Sequence, residues 1–176
     1  AWKVQALKKV KGMGKHEYTA FLQAELAVLN RKLPSTFPLP LDARLWVRKL
    51  IVKKCRVMSS AKLPLWLTFE NGEVGAPPVM VMFKAGDDLR QDILALQIVT
   101  VMDDIWRSEG LDLCMSPYRC VSTWDDGGML EIVKDAVTMA DIHKRYGGKL
   151  GAYKDSTVAD WIRDNNPQPA AYARAV

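Results

Sequence analysis

At 176 residues, 49% apolar and 26% charged, the chain has the make-up of one ordinary globular domain or two small ones. No apolar run approaches the roughly 20 residues that span a bilayer, and no charged-then-apolar leader opens the chain, so secretion has no support. The net charge of +5 hides an asymmetry: 14 basic residues face 3 acidic ones from Ala1 to Lys62 (net +11), against 11 and 17 in the remainder (net −6).

A basic first third could meet nucleic acid, anionic lipid or an acidic partner. Its cations are scattered and few aromatics lie among them, so we read it as a solvated helical face with no nucleic-acid partner. Cys55, Cys114 and Cys120 are odd in number and lack the paired spacing of a zinc site, which points to reduced thiols in the cytoplasm.

The elements follow in chain order. Tyr18, Phe21, Leu22, Leu26 and Leu29 recur at three- and four-residue steps and predict an amphipathic helix. "LPSTFPLP" breaks it, because proline removes ladder donors. "DARLWVRKLIVKKCRVM" reads as helix turning into strand near Cys55. "LPLWLTFE" and "VMVMFK" read as strands, separated by the turn "NGEVGAPP". Ile93, Leu96, Val101 and Ile105 predict a long helix from Leu89 that stops at Gly110. "MSPYRCVST" and "GMLEIV" form a hairpin signal around "WDDGG", with glycine expected to supply positive φ. "TMADIHKRYGG" and "STVADWIRDNNP" predict two further helices, and no internal repeat or low-complexity segment interrupts the order.

Lys84 closes an apolar strand just before a helix that opens with acids. A polyphosphate needs a fixed cation, and a strand end with a carboxylate partner fixes one. Protein-kinase small lobes use this arrangement, and Asp92 is the candidate partner. The competing reading is a lysine on a solvated strand edge. Other candidates carry less. "GMGKHEYT" contains Gly-Lys without the spacer and Ser/Thr of a phosphate-binding loop, and reads as a loop. His16 and His143 read as solvated surface, and "WDDGG" lacks the spaced ligands of a calcium loop; no metal site is expected.

"FKAGDDLRQD" resembles the lysine-strand motif of the phosphatidylinositol kinase superfamily, which includes lipid kinases and large protein-kinase relatives. "CRVMSSAKLPLWLTFE", "LDLCMSPYRCVST", "GMLEIVKDAVTMADI" and "GAYKDSTVADWIRDNNP" resemble a phosphoinositide 3-kinase, closest to the class I catalytic subunit. "LPSTFPLPLDARLWVRKLIVKKC" is similar to the segment entering that kinase domain. The likeness runs in matching order from about Leu33 onward. It implies an α+β fold: a kinase-like small lobe, with an antiparallel sheet and one long helix, preceded by helices and followed by the first helices of the large lobe. The implied boundaries are 1–54 for a helical lead-in, 55–133 for the small lobe, and 134–176 for the hinge and the start of a truncated large lobe.

The resemblance also implies an ATP site. Met58, Ser59 and Ser60 match the phosphate loop, where hydroxyls and N–H groups cap oxygens. Lys84 matches the lysine on the α-phosphate, and Asp92 and Tyr118 match the pair at the inner end of the pocket. Trp66, Met80 and Met82 match the apolar roof over adenine. Leu130 matches the gatekeeper, and Glu131 and Val133 match the hinge. From the residues alone, core packing explains Trp66, Met80, Met82 and Leu130 equally well. Asp92 could be a first-turn acid favoured by the helix dipole, and Tyr118 a strand residue with a wet hydroxyl.

By the resemblance, the reaction is transfer of the ATP γ-phosphate to the 3-hydroxyl of a phosphatidylinositol lipid. The implied partners are that lipid at a membrane surface and a regulatory subunit, and the implied location is cytoplasmic with recruitment to membranes. The DRHN-type loop and DFG segment that carry catalysis and the magnesium ligands are absent from the sequence. No catalytic residue is therefore expected in this chain, the magnesium ligands are expected beyond residue 176, and the isolated chain is expected to be inactive. The alternatives are a truncated binding or regulatory module without activity, and a protein-kinase relative of the same superfamily.

Overall fold

A computed structural model describes residues 14–60, 62–148, 153–154 and 156–175. The chain divides into two compact units after Ile132, and each is described by itself.

The first unit is a seven-stranded sheet in the order β1-β2-β4-β5-β7-β6, with a two-residue β3 also paired to β4. Its strands are β1 (Phe37–Leu39), β2 (Asp42–Leu50), β3 (Arg56–Val57), β4 (Leu65–Asn71), β5 (Val79–Ala85), β6 (Cys120–Trp124) and β7 (Gly127–Glu131), all paired antiparallel. The long helix α2 (Arg90–Ser108) separates β5 from β6, and α1 (Lys15–Asn30) precedes the sheet. This is the α+β arrangement that the resemblance implies.

Alternation along the central strands gives the sheet two faces. The inner face carries Leu65, Leu67, Phe69 and Val81, all buried, and packs with Leu22 and Leu26 of α1 and Val47 of β2. Burying each large aliphatic side chain contributes about 1.5–3 kcal/mol, so this layer is the main source of stability. Polar bridges set the helix on the sheet: the Asn30 side chain accepts from the Leu50 N–H and donates to the Leu50 carbonyl, both at 2.8 Å. Gln23 donates to the Cys55 carbonyl at 2.9 Å. An apolar cavity of about 360 Å³ opens on the same side, lined in part by Leu26, Leu33, Phe37, Leu65, Phe83 and Met129.

Three local expectations are corrected. The stretch from Asp42 is a strand from its first residue, not helix turning into strand; a single 3₁₀ turn at Val52–Lys54 precedes β3. Pairing with β1 and β4 buries Val47 and Leu50, and that tertiary gain outweighs the helical spacing of Leu41, Leu45 and Val52. The helical lead-in is thus, among the described residues, one helix followed by two strands. In "GMGKHEYT", Lys15 to Thr19 are helix rather than loop, with the Gly14 N–H donating to Glu17 Oε2 at 2.6 Å; Gly12 and Met13 lie outside the described residues. Finally, the glycines of "WDDGG" do not supply positive φ. Gly127 and Gly128 are buried within β7. A Cβ on Gly128 would run into the Val121 carbonyl oxygen and come within 2.9 Å of Leu89 Cδ1. Glycine is needed here for close approach, not for a turn.

The second unit holds α3 (Met139–Gly147), α4 (Ser156–Asn165) and α5 (Pro169–Ala175). Thr138 caps α3 by accepting from the Asp141 N–H at 3.1 Å, and Gly148 ends it at φ 61°. At the end of α4, Asn165 and Asn166 donate to the Trp161 and Ile162 carbonyls at 2.8 and 2.9 Å. Buried Thr157 packs on Gly147, where an added Cβ would lie 3.0 Å from its Cγ2.

Candidate nucleotide-binding face

The outer face of the sheet assembles most of the expected residues by register alone. Across β4, β5, β7 and β6, one row of directly opposed residues runs Trp66, Met82, Leu130 and Cys120. The next row toward the end of β5 runs Lys84, Gly128 and Ser122, and the row on the other side pairs Met80 with Thr68. Directly opposed residues share a face, so Trp66, Met80, Met82, Leu130 and Lys84 lie together, opposite the core layer. Trp66, Met80 and Met82 are half-buried and Leu130 is buried. The Arg56 guanidinium lies over the Trp66 ring, 4.2 Å from its centroid, a cation–π contact.

Glycine at 128 leaves the place opposite Lys84 without a side chain. Leu89, fully buried, packs there and seats the start of α2 on the sheet. Gly86, at φ 75°, turns the chain between β5 and α2. The Asp126 carbonyl in the β6–β7 turn accepts from the Gly86 and Asp87 N–H groups at 2.7 and 3.1 Å. The tight turn brings Asp87 back onto Lys84, at 3.2 Å. The ion-pair partner of Lys84 is therefore Asp87 rather than Asp92. Asp92 sits half-buried in the first turn of α2. Burial, and then the Asp92 carboxylate, push the Cys120 thiol up from its ordinary pKa, while Lys84 pulls it down. Cys120 thus lies within electrostatic reach of both Asp92 and Lys84.

The turn between β3 and β4 lies beside the Lys84 end of this face. The Met58 N–H donates to the Pro64 carbonyl at 2.8 Å and the Leu63 N–H to the Ser60 carbonyl at 3.0 Å; Ser59 and Ser60 are exposed. Leu63 holds φ 45°, a left-handed conformation that costs a non-glycine residue about 1 kcal/mol or more. Lys62 reaches out of this turn to the Gly86 carbonyl, with Nζ at 2.9 Å, and to Asp87 at 4.0 Å. Ala61 of this turn lies outside the described residues. Tyr118 is half-buried in the irregular segment before β6. Glu131 exchanges two bonds with Arg119: its N–H donates to the Arg119 carbonyl at 2.8 Å, and its carboxylate accepts from the Arg119 N–H at 3.1 Å. Val133 is exposed and belongs to the second unit.

The sequence alone does not single out Arg56, Lys62 or Asp87. Lys62 and Asp87 stand inside the stretches "CRVMSSAKLPLWLTFE" and "FKAGDDLRQD", where their basic and acidic character is the available signal. Their meeting across 25 residues depends on the sheet.

An antiparallel sheet whose lysine-bearing strand runs into one long helix, with the core on one face and these residues on the other, is a kinase-like small lobe. Residues 78–174 match the family model described as phosphatidylinositol 3- and 4-kinase, and the chain belongs to that family. It is 50% identical over 145 residues to phosphatidylinositol 3-kinase 2 of Dictyostelium discoideum, a match covering 82% of this chain and 8% of that protein. Phosphatidylinositol 3-kinase 1 of the same organism is 42% identical over 173 residues, 98% of this chain and 11% of the relative. The human phosphatidylinositol 3-kinase C2 domain-containing subunit gamma is 39% identical over 170 residues, 96% of this chain and 11% of the relative. The chain thus spans about a tenth of the length of these relatives.

Proposed function

We propose that this chain forms the ATP-binding part of a lipid kinase that transfers the ATP γ-phosphate to the 3-hydroxyl of a phosphatidylinositol lipid. One observation carries the reading: in a member of this family, the Trp66–Met82–Leu130 row and Lys84 share the face of the sheet opposite the core layer. Trp66, Met80 and Met82 would cover adenine from one side, with Leu130 at its inner edge. The main chain of Glu131 would read its polar edge. Lys84, with the Ser59 and Ser60 hydroxyls, would take the phosphate oxygens, where charge-assisted bonds are strongest. Asp92 and Tyr118 would line the inner end.

The family uses ATP with magnesium. Among the described residues no group of three carboxylate, imidazole or thiol donors is assembled. The finer likeness to class I catalytic subunits rests on the quoted motifs. Relatives named for a C2 domain match nearly the whole chain at 39% identity, so the likeness to phosphatidylinositol 3-kinases does not single out class I. The proposed setting is cytoplasmic with recruitment to a membrane bearing the inositol lipid, together with a regulatory subunit. No helix among the described residues is long and apolar enough to cross a membrane.

The test is ATP-dependent phosphorylation of phosphatidylinositol vesicles by the kinase polypeptide carrying this segment, with the product assigned by ring position. Lys84→Met should lower turnover by about 100-fold or more, the scale of losing a preorganised charge that holds the nucleotide phosphates. Turnover that survives this substitution would sink the assignment.

A further inference from the structure

We propose that Asp87 is a positioning residue, an internal counter-ion that holds Lys84 and Lys62 together in the ligand-free site and gives way when a polyphosphate binds. The inference rests on the nucleotide reading of this face. Its basis is a three-group cluster from three segments: Lys84 at the end of β5, Lys62 in the β3–β4 turn, and Asp87 in the loop leading to α2. The Asp87 carboxylate lies 3.2 Å from one ammonium and 4.0 Å from the other.

Two ammonium groups brought this close repel each other, and a carboxylate within reach of both removes that cost. Asp87 can serve both because its main chain is fixed. Its N–H and that of Gly86 are tied to the Asp126 carbonyl, and the Gly86 carbonyl takes a hydrogen bond from Lys62 at 2.9 Å. The turn is thereby joined to the loop, and its lysine is already ordered beside Lys84. Phosphate oxygens are stronger and more numerous acceptors than one carboxylate. An arriving polyphosphate therefore takes over both lysines, and Asp87, 29% exposed, turns toward water. The carboxylate both prearranges the cations and competes for them. Net charge sets the sign: the cluster carries +1 with Asp87 ionised and +2 without it, so neutralising Asp87 favours anions.

The experiment uses the kinase polypeptide carrying this segment, as wild type, Asp87→Asn, Asp87→Glu, Lys62→Met and the Asp87→Asn/Lys62→Met double variant. Amide hydrogen exchange of residues 58–64 is measured without nucleotide, and binding of ATP, pyrophosphate and adenosine is measured by titration. In the ligand-free protein, Asp87→Asn and Lys62→Met should each speed exchange in the turn. The double variant should add nothing to the faster single, since both remove the same link. Asp87→Asn should bind ATP and pyrophosphate about threefold more tightly, the scale of one partly exposed ion pair, and leave adenosine unchanged. Asp87→Glu should restore wild-type behaviour.

Turn exchange unaffected by Asp87→Asn would overturn the counter-ion role. Weaker ATP binding, or an equal effect on adenosine, would overturn the competition, because a merely structural loss weakens all ligands together. Failure of the nucleotide reading is read separately, as a wild-type protein in which ATP leaves the exchange of β4 and β5 unchanged.

Discussion

At the scale of single residues, close contacts and ion pairs make sharp predictions. In β7, Gly128→Ala would gain a little in backbone entropy but would drive a methyl group into the Val121 carbonyl and against Leu89. The backbone cannot yield without breaking the β6–β7 pairing, so we expect a loss of about 2–4 kcal/mol, read as a lower Tm. The acid limb of stability is also set locally. The hydrogen bonds from the Arg44 side chain and main chain hold the Asp42 carboxyl at about 2, below its ordinary 3.8, and Arg119 adds to the effect. A carboxylate whose folded pKa is lowered adds stability above its unfolded value and loses it as pH falls through the folded one. Tm should therefore fall between about pH 4 and pH 2, and Asp42→Asn should flatten that part of the profile; Asp88, held down in the same way by Arg90, accounts for part of what remains. An unchanged profile in Asp42→Asn would place the acid sensitivity elsewhere. Lys84 is legible in the sequence as a cation ending an apolar strand. Its ion-pair partner is not, because the choice between Asp87 and Asp92 depends on how tightly Gly86 turns the chain.

Among the elements, α2 carries a packed face and, opposite it, an open apolar stripe. Leu89, Leu96, Val99 and Asp103 lie on one side by helical spacing, and Leu89 and Asp103 are buried there. On the other side Leu94, Ile98, Val101, Met102 and Ile105 form a stripe, each 40–58% exposed. An open apolar stripe of this length promotes association. The 176-residue chain by itself should self-associate in sedimentation at micromolar concentration, and Ile98→Glu with Ile105→Glu should shift it toward monomer. A monodisperse wild-type chain would contradict this. The existence of α2, of β4 and β5 and of the β6–β7 hairpin was legible in the sequence, because period and turn residues agree there. Strand β2 was not: its basic residues and mixed spacing suit either state, and pairing with β1 and β4 decides between them.

For the whole molecule, the family and the proposed chemistry meet at a defined limit. The sequence contains neither a DRHN-type loop nor a DFG segment, and phosphoryl transfer needs groups of that kind to orient the nucleophile and hold metal. Pure 176-residue chain should therefore show no phosphorylation of phosphatidylinositol above background, whereas the longer polypeptide should turn over; measurable turnover by the short chain would mean that catalysis resides in residues assigned here to binding or packing. The sequence by itself determined the α+β class, the order of most elements and, through its motifs, the family, because these depend on local period, turn chemistry and residue identity. Only the tertiary structure decided which side chains share a face, that Gly127 and Gly128 serve close approach, and that Lys62, Lys84 and Asp87 meet. Those facts follow from register and pairing between strands distant in the chain, and a one-residue slip would send every one of these side chains to the opposite face.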